Sequence, residues 1–111
     1  MVQLAEVNCE ACKADANKLS EQEINEQITQ LPKWSVEEED QVKKLRKAFK
    51  FKDFVEALEF TNKVGALAEK HGHHPDILTE WGKVTVTWWS HKIKGLHQLD
   101  FVLALKTSEL Q

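Results

Sequence analysis

Three histidines fall within four positions of the stretch EKHGHHPDI, residues 69–77: His71, His73 and His74, with Gly72 between them and Pro75 after. The whole chain has only five histidines, so the clustering calls for a chemical reading. Imidazole can ligate a metal, or it can give and take protons near neutral pH. Zinc sites on helices usually pair histidines at i, i+4 and complete the set with cysteine or carboxylate. Here His71 and His74 straddle an expected helix end at Gly72, and the adjacent His73 and His74 should point in different directions. Cys9 and Cys12 form one CxxC with no second pair at zinc-ribbon spacing. A metal centre is therefore the weaker reading.

Proton chemistry competes with an ordinary polar turn. His71 repeats on one helical face with Val64 and Leu67, which suits a partly buried structural histidine. His73 and His74 follow a helix C-terminus, whose dipole favours the imidazolium form, and Pro75 restricts the backbone beside them. His91 alternates with Thr85, Thr87 and Trp89 on one side of a strand. A flat, polar ligand could lie against such a face. From residue types and spacing, that site and a turn of surface histidines both stay open.

The elements that must position these groups are legible from local signals. Ser20 opens a capping box with Glu23, and Ile24, Ile28 and Leu31 follow at helical spacing until Pro32 stops the helix. KWSV and QVKKLRKAFKF flank the acidic turn EEED, with Leu45, Lys47, Phe49 and Phe51 alternating against Arg46, Ala48 and Lys50, a strand hairpin. Asp53 is the expected N-cap of a long helix carrying Ala57, Phe60, Val64 and Leu67, and Gly72 its C-cap. A strand from Ile77 to Trp81 turns through Gly82 into KVTVTWWSH, where Val84, Val86 and Trp88 share a face. After Gly95, residues Leu96, Leu99, Val102, Leu103 and Leu105 predict a last helix with a broad apolar face. The order is α-β-β-α-β-β-α. Tight strand pairs imply an α+β fold, an antiparallel four-stranded sheet with helices packed on one face. Residues 1–19 show no sustained period and are expected to form an N-terminal arm beside a single domain over 20–111.

Composition narrows the function classes. At 111 residues the chain suits one domain that buries roughly two-thirds of its unfolded surface. Its formal charge is −3 and Arg46 is its one arginine, against a direct nucleic-acid partner. No apolar run approaches the roughly 20 residues that span a bilayer, and MVQLAEVNCE has no basic segment leading into an apolar one. A cytoplasmic location, no membrane association and reduced cysteines are expected.

Several stretches in order resemble the pterin-4a-carbinolamine dehydratases. EKHGHHP carries E-x-x-x-H-H-P, followed by an aromatic at Trp81, a strand ending Ser90-His91, and GLHQLD, a Gly-Leu-x-x-x-Asp ending at Asp100. Trp34 and FKDF at 51–54 match as well, so the resemblance covers about residues 20–106. It leans toward the bacterial members that accompany phenylalanine hydroxylase. The resemblance implies the same α+β fold, a homodimer or homotetramer, and neither metal nor organic cofactor. It further implies dehydration of 4a-hydroxytetrahydrobiopterin to quinonoid dihydrobiopterin, with His73, His74 and His91 around the pterin. Asp100 would orient or charge a histidine, Glu69 would bind pterin or pair with the histidines, and Pro75, Trp34 and Trp89 would support the site. His97 stands where many relatives have serine or threonine, and histidine is a poor helix cap. Two alternatives accompany this reading: an interaction protein, as mammalian relatives are for a homeodomain transcription factor, or a pterin enzyme of molybdopterin metabolism.

Overall fold

A computed structural model describes residues 18–111. Cys9 and Cys12, and most of the expected arm, lie outside the described residues. Leu19, expected within the arm, is tied to the domain: its N–H donates to the Leu96 carbonyl at 2.8 Å.

Helix α1 (Glu21–Gln27) starts on the expected capping box, with Ser20 Oγ accepting from the Glu23 amide and Glu23 returning a carboxylate oxygen to the Ser20 amide. It tightens into a 3-10 turn, Ile28–Gln30, and Leu31 before Pro32 leaves helical geometry at φ −123°. Strands β1 (Ser35–Glu39) and β2 (Val42–Lys50) pair antiparallel, Val36 opposite Leu45. The hairpin is tighter than EEED suggested. Its turn is Asp40-Gln41, both with positive φ, which matches the twist of the flanking strands. Glu37 and Glu39 therefore belong to β1, where the Arg46 guanidinium donates to both.

Helix α2 (Phe54–His71) is capped by Asp53, whose Oδ1 accepts the Glu56 amide at 2.9 Å. Its buried stripe is Ala57, Phe60, Val64 and Ala68. Strands β3 (Asp76–Glu80) and β4 (Lys83–Trp88) complete a sheet of order β1-β2-β4-β3, antiparallel throughout. Gly82 in their turn has no room for a side chain, because a Cβ there would sit 2.9 Å from the Phe51 carbonyl oxygen. Helix α3 (Gln98–Glu109) closes the order α-β-β-α-β-β-α.

Leu45, Phe49, Val84, Val86 and Trp88 line the sheet face under the helices, each at most 1% exposed. Thr61 of α2 bonds Thr79 of β3, and the Trp88 indole donates to Thr107 of α3, so both long helices lie on that face. The apolar face of residues 96–105 is wider in the sequence than one sheet contact requires, which by itself suggests self-association. Most of it is used inside the chain: Leu96, Leu99, Phe101, Val102, Leu103 and Ala104 are buried, and Leu105 is half-buried. An α3 buried nearly all round needs apolar residues on every side, which explains the breadth of the pattern. Among the described residues, no helix is long and apolar enough to cross a membrane.

Candidate active site

The end of α2 sets the first two histidines. Gly72 adopts φ 61°, its N–H reaches the Glu69 carbonyl, and the His73 N–H reaches the Ala68 carbonyl at 3.2 Å. This is a Schellman closure. It fixes the His73 backbone in the same step that ends the helix.

The two adjacent side chains then diverge. His73 turns inward, 6% exposed, with its ring parallel to the Trp88 indole and centroids 5.9 Å apart. Its Nε2 meets Asp100 Oδ1 at 2.7 Å. His74 turns outward, where its Nε2 meets Glu69 Oε2 at 2.5 Å. That pair is exposed, so it orients the ring and contributes little to stability.

The third histidine comes from the end of β4. The bridge between Ser90 and Gly95 closes a turn over residues 91–94, and His91 sits in it, exposed. Its ring stacks on Trp89 at 3.9 Å, and Lys44 Nζ lies 4.4 Å from the Trp89 ring centre. The Trp89 indole N–H donates to Asp76 Oδ2 at 3.3 Å. Asp76 directly follows Pro75, so Trp89 and His91 are tied to the segment that carries His73 and His74.

Asp100 joins the two halves. It is fully buried, and its Oδ2 accepts from the Ser90 hydroxyl at 2.6 Å and from the His97 amide at 2.9 Å. His97 does cap α3, through Nδ1 accepting the Leu99 amide at 3.2 Å. An imidazole nitrogen with a free lone pair can take the place of the hydroxyl expected there.

His73, His74, His91, Glu69, Pro75, Asp100 and Trp89 thus lie around one end of the domain. Trp34 does not join them. It packs edge-on against Phe49 in the core and donates its indole N–H to Ser108 Oγ near the far end of α3. Sequence reasoning assigned no role to Ser90, Trp88, Asp76 or Lys44. Ser90 was visible as the neighbour of His91, but nothing local connects it to Asp100.

A depression of about 310 Å³ on the outer sheet face is lined by Arg46, Asp76, Ile77, Leu78, Thr85 and Thr87, and so shares Asp76 with the cluster. Another, of about 200 Å³ between Lys18, Ile24, Lys43 and Gly95, contains none of these histidines. Among the described residues, no three histidine, cysteine or carboxylate groups converge as metal ligands. The cluster pairs a buried, carboxylate-backed imidazole with two exposed imidazoles and an aromatic platform. Such groups can deliver and remove protons on a flat, polar molecule.

Comparison with known proteins decides the family. The family profile described as Pterin 4 alpha carbinolamine dehydratase matches residues 17–110. The chain belongs to this family. Its members are hydro-lyases. A protein of Nitrosococcus oceani, provisionally named a pterin-4-alpha-carbinolamine dehydratase, is 59% identical over 110 residues, 99% of this chain and 97% of that protein. Among solved structures, a Brucella melitensis protein described as a transcriptional coactivator/pterin dehydratase is 34% identical with a TM-score of 0.76, covering 85% of this chain and 98% of that one. A pterin dehydratase-like protein described as a RuBisCO assembly factor of the alpha-carboxysome aligns with a TM-score of 0.59 at 22% identity, covering 69% of this chain and 87% of that one. That likeness is one of fold alone.

Proposed function

We propose that this protein dehydrates 4a-hydroxytetrahydrobiopterin to quinonoid dihydrobiopterin by histidine acid/base catalysis. The observation that carries the reading is the buried His73–Asp100 pair within the same cluster as the exposed His74 and His91. The reaction asks for such a set. The 4a-hydroxyl leaves as water and needs a proton, while N5–H must lose one. Imidazole can serve as acid or base in both transfers, each worth about 10²–10⁴-fold. His73 and His91 act at the hydroxyl, and His74, held by Glu69, faces the pterin ring. Trp89 supplies a flat surface, and Asp76 holds its indole in place.

In this reading the product feeds tetrahydrobiopterin recycling for a cytoplasmic phenylalanine hydroxylase. The sequence resemblance supports that link. It also supports a homodimer or homotetramer, for which the α3 face provides no argument. Sedimentation equilibrium at micromolar concentration is expected to give a multiple of the chain mass, and monomer alone would count against assembly.

Stopped-flow ultraviolet monitoring of freshly generated carbinolamine tests the activity. Dehydration should run well above the buffer rate and should survive dialysis against chelator. No acceleration at stoichiometric protein would reject the enzyme reading in favour of an interaction protein. That second reading has its own observation: Phe54, Val55, Leu58 and Trp81 are large apolar side chains left 44–71% exposed.

A further inference from the structure

The buried donors on Asp100 constrain more than its position. Oδ2 is taken twice, by the Ser90 hydroxyl and by the His97 amide. An amide N–H can only donate and cannot turn away, so Oδ2 is an acceptor at all times. Ser90 is equally confined: it is 1% exposed, and its own N–H donates to the Gly95 carbonyl at 2.8 Å. Two donors on one oxygen hold the carboxylate plane and aim Oδ1 at His73 Nε2. In its carboxylate form Asp100 has only acceptor sites, and the hydrogen in the His73–Asp100 contact then belongs to the imidazole. The Trp88 indole, tilted only 5° from the His73 ring, holds the ring plane.

We propose that Ser90 and the His97 amide form a clamp that locks Asp100 and, through it, fixes the tautomer of His73. His73 carries its hydrogen on Nε2, and Nδ1 is the ring atom that exchanges a proton with the substrate. Ser90 is a positioning residue. The role of Nδ1 in catalysis rests on the dehydratase reading above, whereas the tautomer itself does not. Without Ser90 the carboxyl torsion, broad and two-fold by nature, keeps one anchor instead of two. With asparagine at 100 the logic inverts. The amide oxygen must stay on the His97 N–H, so the NH₂ group faces His73 Nε2 and drives the ring to the opposite tautomer. In the serine-protease triad, the corresponding aspartate-to-asparagine change costs about 10⁴ in kcat through the wrong tautomer.

Long-range ¹H–¹⁵N spectra of the imidazoles test this without substrate. They are recorded over a pH series and read on the neutral ring, and His73 is identified by its loss in His73→Gln. The wild type should show a protonated Nε2 and a lone-pair Nδ1. Asp100→Asn should exchange the two. Ser90→Ala should give averaged shifts of both tautomers, and Ser90→Thr, which keeps the hydroxyl, should restore the wild-type pattern. Carbinolamine kinetics should follow, with kcat falling in Ser90→Ala, recovering in Ser90→Thr, and KM nearly constant. A wild-type hydrogen on Nδ1, or a Ser90→Ala spectrum identical to wild type, overturns the proposal. If Asp100→Asn fails to fold by circular dichroism, the wild-type and Ser90 spectra decide. The expected tautomers in a protein that does not accelerate dehydration would reject the function and leave the clamp standing.

Discussion

His73, His74 and His91 are chemically alike and differ in surroundings. His73 is buried against Trp88 and Asp100, His74 is exposed beside Glu69, and His91 is exposed on Trp89. These settings divide the labour. His91→Ala should lower kcat more than it raises KM, because it removes a proton donor used in the transition state. The full general-acid effect of about 10²–10⁴-fold appears only when His73 is removed with it. His74→Ala should mainly raise KM, the sign of lost uniform binding. The carbinolamine can present its hydroxyl from either ring face, so His73 and His91 can substitute for each other in part. The double alanine variant should then fall near the buffer rate while keeping the wild-type circular dichroism. Steady-state kinetics on the three variants check the division, and a folded double variant with normal kcat removes both residues from the chemistry.

At the scale of elements, the C-terminus of α2 links stability to the site. Gly72 needs its left-handed backbone, where an L-residue costs roughly 1–2 kcal/mol. Space is not the obstacle, since a Cβ at Gly72 meets nothing within 4 Å. Gly72→Ala should therefore destabilise through backbone strain alone, lowering Tm by about 4–8 °C per kcal/mol for a domain of this size. Because the same turn holds the His73 N–H on the Ala68 carbonyl, activity at a temperature where the variant is fully folded should fall too. An unchanged melting curve would show that the turn tolerates a side chain. The caps at Ser20 and Asp53, and the alternation in β4, were readable because they involve residues at most a few positions apart. The hairpin turn was read too long, since side-chain charge says little about which residues take positive φ.

For the whole molecule, stability and pH are coupled through His71. Partial burial pushes its imidazole below the ordinary histidine value, and the charges of Lys106 and Lys70 add to the shift. The unfolded chain then binds the proton more readily than the folded one. Stability is full above the unfolded value, about 6.5, and declines as pH falls toward the lower folded value, where the loss levels off. Exposed carboxylates such as Glu39, held below the usual range first by the Arg46 hydrogen bond, contribute only in more acidic solution. Melting of wild type and His71→Gln between about pH 7.5 and 5.5 isolates the histidine. The wild type should lose more Tm over that interval, and equal losses would discard the linkage.

What the sequence determined by itself was local: helix caps, strand alternation, the element order, and an ordered motif naming Glu69, His73, His74, Pro75, His91 and Asp100, six of the seven clustered residues. Those signals act over a turn of helix or a pair of strand positions, where steric and hydrogen-bond preferences need no distant partner. Tertiary structure decided the rest. It brought Asp100 to His73 across 27 positions and to Ser90 across 10, and it sent Trp34 to Ser108, 74 positions away and out of the site. It also enclosed the apolar α3 that looked like a surface for assembly. No spacing rule reaches so far along the chain, because such contacts arise only when the sheet and helices close over a common core and each buried polar group must find a partner there.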